Sequence, residues 1–257
     1  MRRAPLLFLA PALGAAALFG VPLVALVLRA PWAELGHQLE SPTARDALVL
    51  SLVCSLSATA ISFALGVPLA WLLARTDFTG QRLVRALVTL PMVLPPVVGG
   101  VALLLAFGRR GLVGEWLAAL GVTLPFTTAG AVVAETFVAL PFLVVSAVAG
   151  FRQIDPRLEE AAAVLGARPG FALRRVTLPL AAPALRAGAA LCWARALGEF
   201  GATITFAGSF PGRTQTLPLA VYLALEHDPD AAIALSLVLL IVSVAALVAL
   251  RDRWLGA

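Results

Sequence analysis

Three charged residues, Glu135, Arg195 and Glu199, stand inside long stretches that are otherwise apolar. An ionisable group in such a setting is costly to keep, which makes it a candidate for work on an ion or a proton. Arg195 and Glu199 are four residues apart, the spacing at which opposite charges meet on one helix face, so a plain internally neutralised pair is the first reading for these two. Glu135 has no partner nearby in sequence. It could hydrogen-bond within a bundle, pair with Arg186 or Arg195, or sit close to the outer surface. Nothing favours covalent chemistry. His37 and His227 fall in polar segments, and Cys54 and Cys192 lie in apolar runs, where cysteine behaves as a small core residue. There is no nucleophile–base pair, no metal-ligand cluster and no Walker A phosphate loop. The expectation is a protein that is not an enzyme and carries no metal or cofactor.

A second concentration of charge occupies residues 151–183, FRQIDPRLEEAAAVLGARPGFALRRVTLPLAAP. Its first half predicts a short helix with defined ends. Asp155 is a good N-cap, and Pro156 sits where a missing N–H costs nothing. Leu158, Ala161, Ala162 and Leu165 share one helical face. Gly166, then Pro169-Gly170, end it. About ten residues make a helix only ~15 Å long, too short to cross a bilayer. A short helix with a small-residue face, held at a membrane surface, fits a part that docks into another protein.

The elements that must position these groups are membrane spans. Hydrophobic residues make up 61% of the 257 positions and charged residues 13%, the balance of an all-α integral membrane protein. The basic residues are nineteen arginines and no lysine. In this setting they mark cytoplasmic loops, and no nucleic-acid partner is expected. Met1-Arg2-Arg3 before an apolar run resembles a signal peptide. The run from Leu6 to Leu28 exceeds the roughly 7–15 residues of such a segment, which predicts a retained anchor over 1–30. Further spans are expected at 47–74, 86–107, 128–149, 181–207 and 231–250, six in all. Pro91, Pro95, Pro96, Gly99 and Gly100 crowd the third, which reads either as a kinked helix or as broken backbone facing a bundle interior. Residues 112–120 could form a short interfacial helix, and 208–230 a polar loop. Arg29, Arg45, Arg109, Arg110 and Arg213 are the only loop arginines on the side opposite the N terminus. Both termini and the 151–180 stretch are therefore expected in the cytoplasm of a cell-membrane protein.

Glu160-Ala161-Ala162, Gly166, Val176 and Leu178-Pro179 follow the pattern EAA-x3-G-x9-I-x-LP, with valine for isoleucine. This resembles the cytoplasmic loop of ABC-importer permeases. The resemblance implies a type I permease fold, with a core over 47–250 whose loop carries a coupling helix that docks on a separate ATPase. Glu159, Glu160, Ala161, Ala162, Gly166, Leu178 and Pro179 would serve that coupling. Leu90 to Gly99 and Gly108-Arg109-Arg110-Gly111 look like the third span and following loop of the same permeases. Ala194 to Phe206, with Pro211-Gly212, Thr214, Thr216-Leu217-Pro218 and Tyr222, resembles the molybdate branch. Sulfate relatives share the Gly-Glu core but usually continue differently.

The resemblance implies a homodimer with a pathway at its interface, two ATPase copies inside and an extracytoplasmic molybdate-binding protein outside. Molybdate, or tungstate, is the implied cargo. A sulfate or thiosulfate permease is the alternative, and an ion-coupled secondary transporter using Glu135, Arg195 and Glu199 is a more distant one. A divalent anion leaving water needs replacement N–H and O–H donors that do not hold it too tightly. Pro95, Pro96, Gly99, Gly198, Glu199, Gly201, Thr203 and Thr205 are the candidates for that pathway. Gly198 and Gly201 are equally consistent with close helix packing.

Overall fold

The computed structural model describes residues 6–254, so Met1-Arg2-Arg3 lies outside the described residues. The described chain is helical. Helix α1, Leu6–Leu28, is followed by α2, Leu35–Glu40, and by the long α3, Pro42–Arg75. Next come α4, Gln81–Thr89, a 3-10 turn at Leu90–Met92, α5, Pro96–Phe107, and α6, Gly114–Ala119. Helix α7, Thr128–Gln153, leads to α8, Pro156–Val164, and α9, Pro169–Ala172. A π-helical turn, Leu173–Thr177, joins α9 to α10, Leu178–Leu197. Three helices complete the order: α11, Gly201–Ala207, α12, Leu217–His227, and α13, Pro229–Trp254.

Local chemistry sets the main boundaries. Ser41 caps α3 by accepting from Ala44 N at 3.3 Å, and Pro42 occupies the first turn. Thr127 caps α7 in the same way, accepting from Gly130 N at 3.0 Å. The centre is a bundle in which α7 packs along both α3 and α10. Small side chains make that possible: Ala58, Ala70, Ala139, Ala147, Ala181 and Ala196 are all buried. Gly150 has no room for more, since a Cβ there would stand 2.3 Å from Ala184 Cβ. Polar bonds tie the helices further. Ser146 Oγ donates to Ala184 O at 3.0 Å, and Trp193 Nε1 donates to Ser55 Oγ at 3.0 Å. One turn before Ser55 on α3, Leu217 N donates to Ser51 Oγ at 2.6 Å, which fixes the start of α12.

Among the described residues, four helical segments are long and apolar enough to cross a membrane: Phe8–Leu28, Pro42–Arg75, Thr128–Gln153 and Pro169–Leu197. The pair α4 and α5 makes a fifth if taken together, and the two are bent by 120° at their break. The bend exceeds a simple kink because Pro95 and Pro96 fall side by side. Pro95 is extended, with ψ 132°, and Pro96 starts a new helix. The sixth expected span corresponds to α13, Pro229–Trp254. In α1 none of the apolar stretch is buried within the chain, which leaves it to lipid or another subunit.

Two expectations need correction. Residues 181–207 are not one helix. The helix runs from Pro169 through the π turn to Leu197, stops at Gly198–Phe200 and resumes as α11. Glycine weakens the helix at the stop, and Glu199 caps the new start by accepting from Ala202 N at 2.8 Å. Residues 208–230 are not all loop either: α12 occupies half of them, with Leu217, Leu219 and Ala220 buried. The short helix expected at 112–120 is present as α6.

Candidate functional site

Helix α8 forms where the sequence signals place it. Asp155 Oδ1 accepts from Arg157 N at 3.0 Å, Pro156 opens the helix, and Gly166 adopts φ +83° just beyond its end. None of its nine residues is buried. Glu160 and Ala161 are exposed, Ala162 is half-buried, and Leu158, Val164 and Leu165 are exposed as well. Ala162, Leu165, Gly166, Arg168 and Phe171 line an open hollow of about 460 Å³ between α8 and α9. An apolar ledge of this kind beyond the spanning part of the chain is unusual unless a partner covers it. Leu178 and Pro179 form the first turn of α10, the former half-buried and the latter exposed.

Glu159 and Glu160 are neighbours with opposite environments. Glu159 Oε1 lies 3.4 Å from Arg75 Nη2 and accepts from Thr177 Oγ1 at 2.7 Å. Glu160 is exposed and makes no ion pair among the described residues. Arg75 and Thr177 were not among the candidates. Arg75 is the last residue of α3, and Thr177 closes the π turn, so no local pattern announces their meeting with Glu159.

The second group of candidates gathers where α5 meets α11. A Cβ on Gly201 would stand 2.7 Å from Pro96 Cβ, and one on Gly100 would stand 2.5 Å from Thr205 Cβ. Gly99 is buried against the Phe137 ring. These glycines therefore pack helices. Thr203 is fully buried with no partner for its hydroxyl among the described residues, and the Thr205 hydroxyl donates to Gly201 O at 2.8 Å. Pro95, Pro96 and Gly198 are exposed around the same junction. Phe200 rests against the ring of Tyr222, with centroids 5.1 Å apart, which braces the break from α12.

Of the charges within the spans, Arg195 and Glu199 pair at 2.5 Å, with Glu199 1% exposed and Arg195 26%. The pair forms across the helix break rather than on one helix. Glu135 is buried, and among the described residues it makes neither of the ion pairs open to it and its Oε2 has no hydrogen-bond partner. Among the described residues no group of His, Cys, Asp or Glu could hold a metal ion.

Comparison with known proteins gives these features a context. Residues 66–256 match the family model of the binding-protein-dependent transport system inner membrane component. The chain is 49% identical over 233 residues to the molybdenum transport system permease protein ModB of Mycobacterium bovis, covering 91% of this chain and 88% of that one. It is 36% identical over 227 residues to the sulfate transport system permease protein CysT of Escherichia coli, covering 87% of this chain and 82% of that one. In three dimensions it is similar to a bacterial ABC transporter involved in the import of the acidic polysaccharide alginate. The TM-score is 0.76 at 19% identity, over 96% of this chain and 92% of that one.

Proposed function

The chain belongs to the family of binding-protein-dependent transport system inner membrane components, and from that premise we propose that it is the permease subunit of an ATP-driven importer of molybdate. The observation that carries this reading is α8, a capped helix with an exposed apolar face and no buried residue of its own. Two copies of an ATPase dock there in our reading, through Glu160, Ala161, Ala162 and Gly166. The permease is not itself an enzyme, and ATP is hydrolysed by that partner. Greater similarity to a molybdenum permease than to a sulfate permease supports molybdate as the cargo.

Two copies of this chain form the pathway between them, with both termini in the cytoplasm and a molybdate-binding protein delivering to the outer ends. The exposed residues at the α5–α11 junction, Pro95, Pro96 and Gly198, line that pathway, and Glu199, Gly201 and Thr203 hold the backbone that shapes it. Closure of the ATPases draws the two α8 helices together and turns the cavity outward. Such a switch requires a partner that prefers one state.

The test is uptake of labelled molybdate into vesicles holding the permease, its ATPase and the binding protein, with tungstate and sulfate as competitors. Uptake that requires the ATPase and is blocked by unlabelled molybdate or tungstate at concentrations where sulfate is inert supports the reading. A sulfate preference moves the chain to the sulfate alternative, and uptake that follows an ion gradient without the ATPase overturns the mechanism.

A further inference from the structure

We propose that Glu159 is a positioning residue, which with Arg75 and Thr177 forms a clasp joining α8 to the ends of α3 and α10. The clasp rests on the reading of α8 as the ATPase-docking helix and adds the route by which its movement enters the spans. Three observations carry it. A single carboxylate oxygen, Glu159 Oε1, takes both bonds, from Thr177 Oγ1 at 2.7 Å and Arg75 Nη2 at 3.4 Å. The same Arg75 Nη2 donates to Ile154 O at 3.1 Å, immediately before the Asp155 cap, so one guanidinium grips both the entry and the body of α8. The clasp is also partly dry: Thr177 is 1% exposed, and the side chains of Arg75 and Glu159 are 11% and 29% exposed.

The surroundings leave α8 few other attachments. None of its residues is buried, and a hollow of about 210 Å³, lined by Trp71, Glu159, Ala163 and Thr177, separates it from the body. A helix seated so loosely follows whatever pulls it unless something ties it down. Arg75 is free for that task because other side chains serve the end of α3. Gln81 Nε2 donates to Leu73 O and Thr76 O, and Arg85 Nη2 donates to Leu73 O. Thr177 closes the π turn that feeds into α10, a wide turn that can tighten when its neighbour moves. The two adjacent glutamates therefore divide the work: Glu160 faces the partner, and Glu159 holds the permease.

The experiment has two arms. In the isolated permease, trypsin cleavage at Arg157 and Arg175 reads how firmly α8 is tied, whatever the cargo. Glu159→Ala should speed cleavage by about fivefold or more, while Glu159→Gln, which keeps the Thr177 bond, falls between. In the assembly with ATPase and binding protein, Glu159→Ala should still co-purify with the ATPase but lose about fivefold or more in molybdate taken up per ATP hydrolysed. In the assembly, combining Arg75→Glu with Glu159→Arg should recover part of the lost uptake-to-hydrolysis ratio. Unchanged cleavage, an unchanged uptake-to-hydrolysis ratio, or loss of ATPase co-purification would overturn the clasp, the last by making Glu159 a docking contact. Failure of the unaltered assembly to import molybdate would instead count against the cargo, and the cleavage arm would still decide the clasp.

Discussion

Arg195 and Glu199 meet across the point where one helix stops and the next begins, and the carboxylate serves both sides of the break. Its Oε2 pairs with Arg195 Nη2, while its Oε1 accepts from Ala202 N in the first turn of α11. A negative charge at a helix start is favourable in itself, so the pair and the cap reinforce each other. The break is held open by an ionic bond whose carboxylate is almost fully buried.

Glu199→Ala should therefore remove a pair and a cap together and leave Arg195 unmatched. Breaking such a partly buried pair costs on the order of 3 kcal/mol. Glu199→Gln should cost less, because its amide oxygen still accepts from Ala202 N. Thermal denaturation of the detergent-purified permease, followed by loss of the monodisperse peak, should rank unaltered above Gln above Ala. Equal losses for both variants would show that the cap contributes nothing.

Gly198 and Gly201 should behave differently although only three residues separate them. A Cβ at Gly201 would collide with Pro96, whereas at Gly198 its nearest neighbour would be Ala194 O at 3.6 Å, an ordinary contact. Gly201→Val should destabilise by about 1–3 kcal/mol through overpacking, and Gly198→Ala by well under that. The same denaturation assay compares them, and equal effects would remove the packing argument for Gly201.

Gly166 adopts φ +83° with nothing within 4 Å of where a Cβ would sit. Its requirement is conformational rather than steric, about 1 kcal/mol or more for an ordinary residue and less for asparagine. Gly166→Val should thus weaken ATPase co-purification more than Gly166→Asn. If the two variants co-purify equally well, the turn is not what presents α8.

What was legible in the sequence was what local chemistry dictates. Asp155, Pro156 and Gly166 announce the ends of α8 through capping, proline placement and a left-handed turn, all within a dozen residues. The proline pair at 95–96 likewise announces a break. The second break was hidden because hydropathy runs on through Gly198–Phe200, and the signal there is a capping carboxylate that reads equally well as one half of an i, i+4 pair. The meeting of Glu159 with Arg75 was out of reach for a different reason. The two lie 84 residues apart, and only the mutual packing of α3, α7 and α10 brings the end of α3 to the segment that follows α7.

Helix α3 is bonded in its third turn to the start of α12, through Ser51, and at its last residue to α8, through Arg75. The twenty-four steps between them rise roughly 36 Å, about the depth of the hydrocarbon core. Each residue also turns the helix by about 100°, so the two contacts are locked in phase like marks on a screw. One residue inserted between them would swing one mark far from its partner, whereas seven would nearly restore the phase while lengthening the rod by about 10 Å. The register of this single helix thus sets whether α12 and α8 can be gripped at once.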